Sequence, residues 1–187
     1  MQDFSLHLLD LLENSAKAVA GAVEVVLSYA GTWLEFALTD DGPGFPAAIL
    51  ENPTDPFRTT RSERPVGLGL ALLRESAAAT GGDLVARNRR QGGAEVRGRI
   101  DMSHIDARPL GSLAETALSA VLAWPGLDLR VLCGPVGQVA AILDTGEIKR
   151  ELADLSLAHP AVRKFIRESL TVGLADLYAW ADRVSEM

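Results

Sequence analysis

The sequence predicts an α+β protein. Three observations carry that expectation: an amphipathic helical stretch near the start, two apolar strand pairs around tight turns, and a second half that alternates helix, hairpin and helix. Residues 4 to about 20, FSLHLLDLLENSAKAVA, place Phe4, Leu8, Leu11, Leu12, Ala16 and Val19 on one stripe at helical spacing. GAVEVVLSYAG and TWLEFALTD then read as two strands around a turn at Gly31 and Thr32. DDGPGF ends the second strand, because Asp, Gly, Pro and Gly cannot continue a central one. Residues 46 to 66, with Pro46, Pro53, Pro56 and Pro65, read as a long irregular loop of the kind that forms lids, mobile over about residues 50 to 66. LGLALLRESAAATGG reads as a helix stopped by Gly81 and Gly82, and DLVARNRRQGGAEVRGRI as a hairpin turning at Gly92 and Gly93.

Beyond about Ile105 the pattern resets. PLGSLAETALSAVLAW is helical, LDLRVLCGPVGQVAAIL is a hairpin turning near Gly134 to Gly137, and TGEIKRELADLSL and PAVRKFIRESLTVGLADLYAWADRV are two helices. Pro160 opens the last helix, just after His159. The expected organisation is a domain over residues 1–103 and an α-hairpin-α segment over residues 104–187.

Bulk composition narrows the function. A formal net charge of -7 argues against nucleic acid as a partner, since phosphate backbones call for an excess of Lys and Arg. The single cysteine, Cys133, excludes an intrachain disulfide and fits a reducing cytoplasm. No basic, apolar leader opens the chain, and no stretch reaches the roughly 20 apolar residues of a membrane span, so no direct membrane insertion is expected.

Four short stretches carry chemistry. Asp10, Asn14 and Lys17 fall on one helix face, away from the apolar stripe. Asn14 can offer an amide oxygen to Mg²⁺, Lys17 can neutralise phosphate, and Asp10 can orient or deprotonate a nucleophile. Taken alone, the same face is an ordinary solvated one with an ion pair. Glu13 is expected to point elsewhere on the helix. Asp40 ends a strand, where a buried carboxylate can accept the exocyclic amine of a purine, and Gly42 and Gly44 permit close backbone approach. The plain alternative is a turn. TDPFRTTR supplies an aromatic anchor, Phe57, the hydroxyls of Thr59 and Thr60, and the fixed cation Arg61, a set suited to a lid over a triphosphate or simply to an exposed loop. VGLGL, with Gly67, Leu68, Gly69 and Leu70, closes the loop and opens a helix, where free N–H groups can face phosphate.

In this order the four stretches resemble the GHKL, or Bergerat-fold, ATPase superfamily of gyrase, Hsp90, histidine kinases and MutL. LLDLLENSAKA is similar to the N box, DDGPGF to the G1 box, DPFRTTR to the F box and VGLGLALL…GG to the G2 box, over about residues 5 to 100. The F-box-like wording is most similar to the histidine-kinase branch. The resemblance implies a Bergerat-type α/β sandwich, with ATP between the helical layer on a mixed sheet and a lid. It implies ATP and Mg²⁺ as cofactors: Asn14 holding Mg²⁺, Lys17 contacting phosphate, Asp40 binding adenine, and Gly42, Gly44, Gly67 and Gly69 shaping the pocket. Phe57, Thr59, Thr60, Leu68 and Leu70 join the expected cofactor contacts, and Asp10, Lys17 and Arg61 the expected catalytic set. Two departures stand out: Pro65 occupies the place of an opening G2-box glycine, and Asp10 stands where hydrolysing branches carry Glu. The chain also resembles stand-alone bacterial ATP-binding proteins often encoded near iron-only hydrogenases.

None of His7, His104 and His159 lies in a phosphoacceptor context, and no dimerising helix precedes the N-box-like stretch, so an acceptor is expected on another chain. Arg163, Lys164 and Arg167 read as a solvated helix face or a partner surface. The expected function is ATP·Mg binding with γ-phosphate transfer to a protein partner or to water. The alternatives are a nucleotide-gated switch with negligible catalysis and a scaffold that no longer binds nucleotide.

Overall fold

A computed structural model describes residues 3–46, 68–152 and 155–187. The chain runs α1 (Phe4–Lys17), β1 (Ala22–Ala30), β2 (Trp33–Asp40), α2 (Leu68–Ala79), β3 (Asp83–Asn88), β4 (Ala94–Asp101), α3 (Leu113–Ala123), β5 (Asp128–Pro135), β6 (Ala140–Asp144), α4 (Thr145–Glu151) and α5 (Pro160–Ser185). The six strands form one mixed sheet in the order β3-β4-β2-β1-β5-β6. All neighbours are antiparallel except β1 and β5, which run parallel from Ala22↔Asp128 to Tyr29↔Pro135. The α+β expectation therefore holds, and strands from both sides of residue 104 share the sheet.

Strand alternation sends Val23, Val25, Leu27, Leu34, Phe36, Leu38, Leu129 and Val131 to one face, where each is buried. The helical stripes meet that face. On α1, Phe4, Leu8, Leu11 and Leu12 are buried, and the Phe4 and Phe36 rings lie 5.1 Å apart at 60°. On α5, Ile166, Leu170, Leu174 and Leu177 are essentially inaccessible at helical spacing. Trp180 continues the stripe, stacks on Tyr29 at 5.0 Å and donates its indole N–H to the Gly31 carbonyl at 2.9 Å. Tyr178 bridges α5 to the start of α3, donating to Gly111 O at 2.7 Å and accepting from Leu113 N at 2.9 Å.

Local chemistry sets the ends. Asp3 caps α1 by accepting from Leu6 N at 3.1 Å, and His159 caps α5 through Nδ1, which accepts from Ala161 N at 3.3 Å. The expectation that α1 continues to Val19 is corrected. The Val19 and Ala20 amides turn back to the Ala16 and Ser15 carbonyls, the bond pattern of a Schellman ending. Val19 itself is 87% exposed, with φ at 60°, a left-handed conformation that a β-branched residue adopts only under strain. The helix expected from TGEIKRELADLSL is also shorter, stopping at Glu151. Arg167 forms a two-pronged pair with Glu115 on α3, Nε to Oε1 at 2.6 Å and Nη2 to Oε2 at 3.2 Å. Among the described residues no helix is long and apolar enough to cross a membrane.

Candidate functional site

Asp40 ends β2 on the helix-covered side of the sheet and is 6% exposed. A carboxylate so placed is costly unless hydrogen-bonded. Its Oδ1 accepts from Gly42 N and from Ala94 N, both at 3.0 Å, and its Oδ2 accepts from the Ser15 hydroxyl at 2.8 Å. An ionised carboxylate offers about four lone-pair positions, so one acceptor position on Oδ2 is left after these three bonds.

The loop after Asp40 is pinned at three further points. Asp41 accepts from Gly21 N at 2.7 Å and Ala22 N at 2.9 Å, tying the loop to the start of β1. Asn88 clasps the Phe45 backbone, accepting from its N–H at 2.7 Å and donating to its C=O at 3.0 Å. Arg89 Nη1 donates to the Asp40 carbonyl at 3.1 Å. The turn between β3 and β4 approaches so closely that a Cβ on Gly93 would lie 1.9 Å from the Asp40 carbonyl oxygen, and Gly93 also has φ at 86°. Only glycine meets both demands.

The α1 face carries the other expected positions. Asp10 is half-buried, while Asn14 and Lys17 are exposed, all on the side away from the Leu8–Leu12 stripe. Lys17 pairs with Glu13 one turn earlier, so the expectation that Glu13 points elsewhere is corrected: a four-residue separation puts the two side chains together. Asp10 lies against the first turn of α2. A Cβ on Gly69 would sit 3.0 Å from both Cβ and Oδ2 of Asp10, closer than side chains normally pack. Gly69 thus has a local reason at a helix start, since the Asp10 side chain fills the space. Leu70 turns into the hydrophobic core. Leu68 opens α2, and Phe57, Thr59, Thr60, Arg61, Pro65, Gly67 and the expected lid over about residues 50 to 66 lie outside the described residues. Gly44, with φ at 79°, stands beside the Asn88 amide.

His7, one turn before Asp10, is 3% exposed, and its Nε2 has no hydrogen-bond partner among the described residues. Burial pushes its pKa below the ordinary histidine value; Asp10 opposes that shift and Arg108 adds to it. Arg108 is anchored to α2 through Ser76 at 3.1 Å. No cluster of three or more His, Cys, Asp or Glu side chains suited to a metal occurs among the described residues. A single amide such as Asn14 suits Mg²⁺, which keeps most of its shell as water and phosphate oxygen.

Ser15, Asn88, Arg89 and Ala94 were not singled out from the sequence, and Gly93 only as a hairpin turn. Ser15 had a readable signal, a hydroxyl four residues after Leu11 on a stripe otherwise apolar. The others act through backbone contacts that no local pattern encodes. A depression of about 500 Å³ lies elsewhere, on the opposite sheet face beside Val26, Glu35, Val85, Arg87 and Arg97. None of the chemistry-bearing positions lines it, and Glu95 closes Arg87 and Arg97 into ion pairs there.

Comparison with known proteins agrees with the family resemblance read from the sequence. The family described as histidine kinase-, DNA gyrase B-, and HSP90-like ATPase matches residues 3–104, more than half of the chain. The sensor protein CutS of Streptomyces coelicolor is 36% identical over 97 residues, covering 48% of this chain and 23% of CutS. The sensor protein KdpD of Escherichia coli is 34% identical over 99 residues, covering 50% of this chain and 11% of KdpD. The chain thus spans less than a quarter of the length of these relatives. Among solved structures, the catalytic domain of histidine kinase ThkA is similar at 24% identity and TM-score 0.42, covering 51% of this chain and 64% of that one.

Proposed function

The chain belongs to the histidine kinase-, DNA gyrase B- and HSP90-like ATPase family, and on that premise we propose that it binds ATP with Mg²⁺ and passes the γ-phosphoryl group to a partner protein or to water. The observation that carries this reading is the Asp40 carboxylate, buried, held by three donors and left with one acceptor position, which suits the exocyclic amine of adenine. Asn14 is the residue to hold Mg²⁺, and Lys17 and Arg61 are the cations to neutralise phosphate charge. Bound Mg²⁺ supplies charge neutralisation between the phosphates. Asp10 is the group to orient the attacking hydroxyl or water and to take its proton.

The acceptor we propose is water or a residue other than the three histidines of this sequence. His7 is buried, His104 Nδ1 accepts from Asp106 N, and His159 Nδ1 caps α5, so none of the three presents itself as a phosphoacceptor. The absence of a spanning helix among the described residues and the single cysteine support a cytoplasmic setting. We assign residues 104–187 a supporting role, extending the sheet behind the nucleotide domain of residues 1–103.

Titration calorimetry with ATP and ADP at millimolar Mg²⁺ tests the reading. Saturable heat with both nucleotides is expected, and γ-labelled ATP should release or transfer its label. No heat with either nucleotide would overturn the proposal. Binding without any label release would reduce the protein to a nucleotide-gated switch.

A further inference from the structure

Ser15 lies on the buried side of α1, 3% exposed, among leucines. An apolar residue there would pack at no polar cost, so the hydroxyl needs a reason. Its O–H donates 2.8 Å to Asp40 Oδ2, twenty-five residues away in sequence. The other carboxylate oxygen is already full, because Oδ1 takes the Gly42 and Ala94 amides at 3.0 Å each. Ser15 therefore controls how much of Oδ2 is left. With the hydroxyl present, one lone pair is open. Without it, two are open, and the carboxylate is fixed only through Oδ1.

We propose that Ser15 is a positioning residue for base recognition, turning Asp40 into a one-site acceptor aimed at the 6-amino group of the purine. The inference rests on the adenine reading of this site and assigns part of that recognition to a side chain outside the expected contacts. An amine donor on the base completes the fourth bond of the carboxylate. A purine with hydrogen at C6 leaves that position unpaired, and a 6-oxo purine sets acceptor against acceptor. Ser15 acts only through Asp40, so its effect is specific to bases that carry the amine.

The test is a two-by-two comparison. Affinities of wild type and Ser15→Ala for ATP and for purine riboside triphosphate, which lacks only the 6-amino group, are measured by calorimetry with Mg²⁺. Ser15→Ala should weaken ATP roughly tenfold, in keeping with a hydrogen bond to a charged group, and the analogue less than twofold. Ser15→Cys, nearly isosteric but a poor donor, should follow Ser15→Ala, with melting curves confirming that both variants fold. Equal weakening of both ligands, or no change for ATP, would overturn the inference and leave Ser15 a packing residue. A wild type that binds neither ligand would overturn the adenine reading itself.

Discussion

The two ends of the candidate site are built differently. At the Asp40 end, side-chain and main-chain bonds fix the carboxylate and the loop behind it: Ser15, Gly42 and Ala94 on the carboxylate, Asp41 on the start of β1, Asn88 on Phe45. At the α1 face, Asn14 and Lys17 are exposed side chains, and Asp10 leans on the first turn of α2. The first end is a rigid template that needs no ordering when a ligand arrives. The second end, on the proposed reading, would hold the metal and the phosphates. Affinity and base selectivity should therefore reside at Asp40, and rate at Asp10.

That division can be broken by experiment, beginning with the largest effect. Asp10→Asn should lower label release from γ-labelled ATP by about 10²-fold or more while ATP affinity changes little; a matching loss of affinity would place Asp10 in binding instead. Asp40→Asn should do the reverse. Its amide can still accept from Gly42 and Ala94 and donate to the Ser15 hydroxyl, so the fold survives, but the adenine amine then meets an NH₂ group. ATP affinity should fall roughly a hundredfold by calorimetry, on the scale of a lost charge-assisted hydrogen bond.

His7 gives a smaller, pH-linked effect. Burial lowers its folded pKa, so between that value and the unfolded one the unfolded chain binds the extra proton. Stability is therefore fully present above about pH 6.5 and declines as pH falls below it, by at most about 1.4 kcal/mol per pH unit from this residue. Denaturant midpoints at pH 7 and pH 5.5 should differ more for wild type than for His7→Gln. The smallest effect is expected at Val19, whose side chain is exposed to solvent. Val19→Gly should raise stability by up to about 1 kcal/mol by relieving the left-handed backbone, with nucleotide affinity unchanged.

Most of the architecture was legible because it is locally encoded. The stripe from Phe4 to Leu12, the alternation in β1 and β2, the glycines at 92 and 93 and the proline at 160 each name their own element. Val19 misled because its apolar character fitted the stripe, while the bonds that unwind the helix run through main-chain groups of Ser15 and Ala16. The β5–β6 hairpin was readable as a hairpin, but nothing in its alternation says that β5 lies parallel to β1. At the candidate site, the sequence draws the eye to side chains with obvious chemistry and away from those acting by geometry. Ser15 meets a carboxylate 25 residues away and Asn88 a backbone 43 residues away, separations that local spacing does not reach.

The parallel pairing of β1 with β5 sets an order of events for the growing chain. β1 finds β2 at once, across two turn residues, but its other edge waits for a partner about a hundred residues on; the Glu24–Arg130 ion pair closes a separation of 106. Closing so long a loop comes late and raises the contact order, which slows folding. Until then, Val23, Val25 and Leu27 lie along an open strand edge that can pair with another molecule instead. A chain interrupted after residue 104 would keep every conspicuous residue of the candidate site and would never close that edge. Its hazard would be self-association during synthesis rather than any fault in its chemistry.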